Sequence, residues 1–264
     1  MWRVTALEAL AILVAGFGAG MINTIVGSGT LLTFPTLLWA GYAPVTANVS
    51  NTLGLVAGGA AGSWGYRREI VGAGPTLMRL LPMSVIGAAI GAILVIVLPP
   101  GVFETAVPVL IGVGALLVVL GPRLQERMAA RRPDPVAAAA RAGAAGPTLA
   151  LMAGVLLAGI YGGYFGAAQG VILIGLLSLL TTDALQRING YKNILATAAN
   201  IVGAITFLII APDQVVWPVV GLIAVGSVLG GLVGAAVGRR IPTTPLRVFI
   251  LIVSVIAIVA FVLS

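Results

Sequence analysis

Apolar runs of about 18 to 24 residues recur along the whole length of this 264-residue chain. Each is long enough to cross a hydrocarbon core about 30 Å thick as a helix. Within lipid every backbone N–H and C=O needs an internal partner, so helices and closed barrels are the permitted spanning structures. A barrel would show short alternating segments of about ten residues, and these runs do not alternate. The expected fold is an all-α polytopic membrane protein. Only 8% of the residues are charged, against about 25% in soluble domains. The one extended polar stretch, 121–147, is too short and too rich in Ala and Arg to bury a core. Met1, Trp2 and Arg3 lead straight into apolar sequence, and no small-residue cleavage site follows, so the N-terminus reads as uncleaved.

The chain divides into eight apolar segments, roughly 5–40, 43–64, 79–98, 102–121, 148–181, 187–211, 215–238 and 246–263. The first and fifth, about 35 residues each, are interrupted by glycine. They are long for one crossing and short for two, so they are expected to be broken or re-entrant. The net charge of +7 sits largely on arginines in loops 65–78, 122–147 and 239–245, whereas 99–101 and 212–214 hold no cation. Such clusters are topology signals rather than a nucleic-acid surface; they place the first three loops in the cytoplasm and the last two outside. Segments 5–40 and 148–181 must then each start and end on one face, which leaves both termini outside.

The two halves resemble each other. At an offset of 141, Gly18 matches Gly159, Gly29 matches Gly170, Asn48 matches Asn189, and Asn51 falls on Lys192. At an offset of 139, Gly87 and Gly91 match Gly226 and Gly230. Equivalent loops carry opposite charge, as in an inverted-topology repeat, which is a transporter architecture. Residues 1–121 are expected to form the first repeat, 122–147 a cytoplasmic linker and 148–264 the second repeat.

Candidate site residues lie at the two interruptions and just after them. Ser28, Gly29 and Thr30, and Gln169 and Gly170, each precede an apolar half-helix. A half-helix N-terminus at membrane depth presents free N–H groups and positive partial charge, which suits an anion. The other reading of these glycines is close helix packing alone. Asn189, Asn193, Thr197 and Asn200 form a stripe at helical spacing, with Lys192 beside it; Asn48, Asn51 and Thr52 are the counterpart. An ionisable residue at that depth marks a functional site by default. Lys192 has no mid-membrane acid to pair with; its alternative is to snorkel to the cytoplasmic face. For the asparagines the alternative is hydrogen bonding between helices. Gly87, Gly91, Gly226, Gly230 and Gly234 read as packing positions, Tyr161, Tyr164 and Phe165 as core aromatics, and Trp64 and Tyr66 as interfacial anchors.

The absence of histidine and cysteine, and of a clear mid-membrane acid, leaves no thiol chemistry and no dedicated proton relay. No cofactor, metal or catalytic residue is expected. An intramembrane hydrolase would need a base for Ser28, and Lys192 is the one formal candidate. A passive anion channel would share the positive lining. The partners implied are a small anionic substrate and the lipid bilayer, with no nucleic acid; nothing specifies an oligomeric state.

The stretches VGSGTLLTFPTLLWAGYAPVTANVSNTLG and YGGYFGAAQGVILIGLLSLLTTDALQRINGYKN resemble the TauE/SafE family of sulfite exporters. The resemblance spans nearly the whole chain, the second stretch being the more specific. It implies movement of sulfite, organosulfonates or related anions, outward, across the bacterial cytoplasmic membrane. The family's first motif often carries a denser glycine run where this chain has Gly27, Ser28, Gly29 and Thr30. The integrated expectation is alternating access around a midplane anion site. Its members are Ser28, Gly29, Thr30, Asn48, Asn51, Gln169, Gly170, Asn189, Lys192 and Asn193.

Overall fold

The computed structural model describes residues 4–130, 148–238 and 243–263. Among them the regular structure is helical throughout, with ten α-helices, one 3-10 turn and no strand. Residues 5–40 form two helices, α1 (Ala6–Ile25) and α2 (Thr30–Trp39), separated at Val26–Gly29. Residues 148–181 likewise form α6 (Leu149–Tyr164) and α7 (Gln169–Leu180), separated at Phe165–Ala168. The other helices are α3 (Pro44–Gly65), α4 (Gly74–Val97), α5 (Pro100–Ala130), α8 (Leu185–Ile210), α9 (Trp217–Val237) and α10 (Thr243–Leu263). Helix α5 continues into the stretch read as linker; residues 131–147 lie outside those described.

Among the described residues, five helices are long and apolar enough to cross a membrane: α1, α4, α5, α8 and α9. Local sequence sets several boundaries. Thr5 and Glu8 form a capping box at the start of α1, with the Thr5 N–H donating to the Glu8 carboxylate at 2.8 Å. The Thr148 hydroxyl accepts from the Leu151 N–H at the start of α6. Proline occupies the first turn of α3, α4 and α9, where its missing N–H costs nothing.

Packing crosses the midpoint of the chain. Helix α1 lies along α9, and α6 lies along α4; α3 packs between α9 and α8, and α8 also touches α4. Helices α5 and α10 pack on each other, with α5 against the half-helix α7 and α10 against the half-helix α2. The two tightest crossings are built on glycine. A methyl at Gly87, Gly91, Gly159 or Gly163 would fall within 3.0 Å of main-chain atoms across the α4–α6 crossing. Gly20, Gly226 and Gly230 do the same between α1 and α9. Without a hydrophobic driving force between helices in lipid, such close backbone approach supplies the association.

Connecting segments are tied to the starts of the two polar helices. Thr46 donates to Gln214 Oε1 at 2.6 Å, and the Val216 N–H donates to Ser50 Oγ at 3.0 Å. Arg187 in α8 donates to the Val71 carbonyl at 2.6 Å and pairs with Asp183 at 3.5 Å. Trp64 is exposed with the Arg67 guanidinium 3.8 Å above its ring, whereas Tyr66 is buried.

Candidate functional site

The two interruptions are built alike. At the end of α1 the Val26 and Gly27 N–H groups both donate to the Ile22 carbonyl, at 2.7 and 3.0 Å. At the end of α6 the Phe165 and Gly166 N–H groups both donate to the Tyr161 carbonyl, at 2.9 and 3.0 Å. Gly27 (φ +90°) and Gly166 (φ +74°) then turn the chain through the left-handed region, which glycine enters without a Cβ penalty. Half-helix α2 starts three residues after Gly27, and α7 three residues after Gly166. Thr30 and Gln169 therefore hold equivalent places, so the breaks correspond at an offset of 139; the helices after them start at 44 and 185, an offset of 141.

The two tips touch. The Gly170 N–H donates to the Gly27 carbonyl at 3.1 Å, and a methyl on either glycine would run into the main chain of the other. The break before α2 thus meets the first turn of α7 in the interior. The Gly29 N–H donates to Asn23 Oδ1 at 3.3 Å, which closes the first tip.

The polar helices hold the broken ones, and they do so crosswise. Lys192 is 1% exposed; its ammonium donates to the carbonyls of Asn23 and Thr24 at 2.9 and 2.8 Å. Asn193 Nδ2 approaches the same Thr24 oxygen at 3.5 Å. From α3, Asn48 Nδ2 donates to the Tyr164 carbonyl at 3.0 Å. The last carbonyls of a helix lack intrahelical donors. Here the ends of α1 and α6 each receive theirs from the polar helix of the other half. Lys192 therefore does not snorkel. Asn51 faces its own half: it accepts from Thr33 at 2.5 Å and donates to Thr30 Oγ1 at 3.3 Å.

Four of the ten site candidates keep a buried polar atom without a partner among the described residues. These are Ser28 Oγ, Asn48 Oδ1, Gln169 Nε2 and Asn189 Oδ1. All four side chains are at least nine-tenths buried. Unpartnered buried groups cost about 1–3 kcal/mol each, and natural folds tolerate few of them. Ser28 and Gln169 each adjoin one of the two touching glycines, and the Gln169 amide lies over Gly162 of α6. The remaining candidates are engaged within the protein: Thr30 and Asn51 with each other, Lys192 and Asn193 with α1, Gly29 with Asn23, and Gly170 with Gly27. Ser28 and Lys192 form no hydrogen bond with each other, so the serine–lysine pair of a hydrolase is not assembled. Phe165 packs edge-on against Phe34 at 5.0 Å, a core contact.

Sequence reasoning passed over Asn23 and Thr24, which receive Lys192. The available signal was an Asn-Thr pair inside an apolar run, four and three residues before the turning glycine. Truncating Asn48 tests the crosswise arrangement. Asn48→Ala strands the Tyr164 carbonyl, and its unfolding midpoint should fall by the equivalent of about 1–3 kcal/mol. Asn200→Ala, on the α8 stripe and half-buried with no such bond, is the reference.

A family model described as sulfite exporter TauE/SafE matches residues 12–261. Among curated proteins, the probable membrane transporter protein YfcA of Escherichia coli K12 is 28% identical over 239 residues, covering 90% of this chain and 83% of that protein. A probable membrane transporter protein of Haemophilus influenzae is 26% identical over 252 residues, covering 94% and 92%. The probable membrane transporter protein ORF9 of a Sinorhizobium species is 32% identical over 253 residues, covering 95% and 91%. No solved structure matches the chain.

Proposed function

Since this chain belongs to the TauE/SafE family of membrane transporters, we propose that it exports a small sulfur-containing anion, sulfite or an organosulfonate, from the bacterial cytoplasm through the inner membrane. The observation that carries this reading is the contact between the two breaks at Gly27 and Gly170, with buried Ser28 and Gln169 unsatisfied next to it in the chain and Asn48 and Asn189 unsatisfied on the polar helices α3 and α8. Ser28 and Gln169 offer an O–H and an N–H to an oxyanion. The positive ends of two half-helices add favourable potential at no desolvation cost of their own. Lys192 adds a whole positive charge one helix turn away, while its ammonium remains on α1.

Alternating access fits the same geometry. Each broken helix ends on the polar helix of the other half, and the main packing pairs, α1 with α9 and α6 with α4, exchange partners between halves. That reciprocity supports reading 1–121 and 148–264 as inverted repeats around a midplane site. Rocking one half against the other would part Gly27 from Gly170 and admit the substrate between them.

The test is flux in proteoliposomes with labelled sulfite and a panel of small sulfonates under an imposed potential. Saturable movement of one anion toward the positive side is expected. At equilibrium, 100 mV favours one charge by about 2.3 kcal/mol, roughly a fifty-fold concentration ratio. No movement of any sulfur oxyanion by folded protein would overturn the substrate assignment.

A further inference from the structure

The Lys192 ammonium is buried without a carboxylate beside it: among the described residues its hydrogen-bond acceptors are the Asn23 and Thr24 carbonyls. A charged group placed so is costly. Capping alone does not explain it. The equivalent break at the end of α6 is capped by a neutral amide, Asn48 on Tyr164, and Asn193 already supplies a neutral amide to Thr24. The end of α1 therefore takes a full positive charge where the end of α6 takes none. In membrane carriers, carbonyls at the broken end of a half-helix are the ligands that hold a coupling cation. They offer oxygen lone pairs at the negative end of the helix dipole.

We propose that the Lys192 ammonium is a resident coupling cation, tethered to α8 and seated on the Asn23 and Thr24 carbonyls, so that anion movement needs no free Na+ or K+. Removing it uncovers a latent site on those carbonyls for a small monovalent cation, an alkylammonium above all. Such an ion carries N–H donors for both oxygens and an apolar tail for the space vacated by the lysine stem. The ammonium positions α1 and completes the charge beside the tips; it does not leave α1 to grasp the anion. The flux part of this inference rests on the transporter reading above, and the cation-binding part stands without it.

The test uses purified full-length protein and Lys192→Ala, with ethylammonium, Na+ and tetramethylammonium chlorides as probes. Ethylammonium should raise the unfolding midpoint of Lys192→Ala by roughly 2–4 °C once it is well above its dissociation constant. Wild type should not shift. Tetramethylammonium, which has no N–H, should shift neither. In proteoliposomes, wild-type flux should be equal in Na+, K+ and N-methylglucamine. Lys192→Ala should lose flux and regain it in ethylammonium. Lys192→Met, which fills the space of the stem and binds no cation, keeps the test open should the alanine variant not fold; it should be inactive and unrescued. Wild-type flux that requires Na+, Lys192→Met that transports as wild type, or a folded Lys192→Ala whose midpoint ignores ethylammonium would each overturn the proposal. A midpoint shift without flux of any sulfur oxyanion would leave the cation site standing and count against the substrate alone.

Discussion

Gly27→Val abolishes transport and lowers the unfolding midpoint further than any other single change at the tips. Two costs combine at this position. Gly27 has φ +90°, a conformation that costs a β-branched residue about 1–2 kcal/mol. A Cβ there would also meet the Gly170 main chain, with its carbonyl carbon at 2.8 Å, and overpacking against unyielding atoms adds about 1–3 kcal/mol. The sum is about 3 kcal/mol, read as the shift in thermal unfolding in detergent. Gly41→Val separates the two causes. Gly41 has φ +82° but nothing within 4 Å of where a Cβ would sit, so it should show the conformational cost alone and retain transport. Equal losses at Gly27 and Gly41 would mean that the tip contact contributes nothing to stability.

Gly163→Leu should leave little folded protein. The new side chain would start within 3.0 Å of the Ala88 main chain, and helix backbones cannot give way as a side-chain end can. The α4–α6 crossing must widen, and with it the contacts of Gly87, Gly91 and Gly159 are lost. The expected cost is about 3 kcal/mol or more, at the upper end for overpacking, seen as loss of the monodisperse peak after extraction. Gly221→Leu is the matched control: it lies exposed on α9 with nothing within 4 Å, and should stay within about 0.5 kcal/mol of wild type. Equal yields of the two variants would mean that the crossing is not tightly packed.

The helical class, the two interruptions and the asparagine stripes are legible in the sequence because each rests on local spacing. Runs of apolar residues set helix length, and the glycines at 27, 29 and 170 mark the two interruptions. The partner of Lys192 is not legible in the same way. A search for carboxylates finds none, because the acceptors are main-chain carbonyls of residues 168 and 169 positions away, and every residue type carries a carbonyl. The same holds for Asn48 and Tyr164. Tyr66 shows the limit of composition from another side: beside the exposed Trp64 it reads as a surface anchor, yet it is buried. Burial at the end of α3 depends on which helix lies opposite, and local spacing does not carry that.

The crosswise packing also dictates an order of events at the ribosome. Gly16 and Gly20 of α1 close onto Ile223 and Ser227 of α9, about two hundred residues downstream. At translation speeds of about 5–20 residues per second, α1 waits roughly 10–40 s for that surface to emerge. Its final turn waits almost as long for Lys192. During that interval the glycine faces of the first half are covered by lipid or by the insertion machinery, not by their own chain. The nascent first half is thus a client held in trust, and the arrival of α8 and α9 converts it into structure.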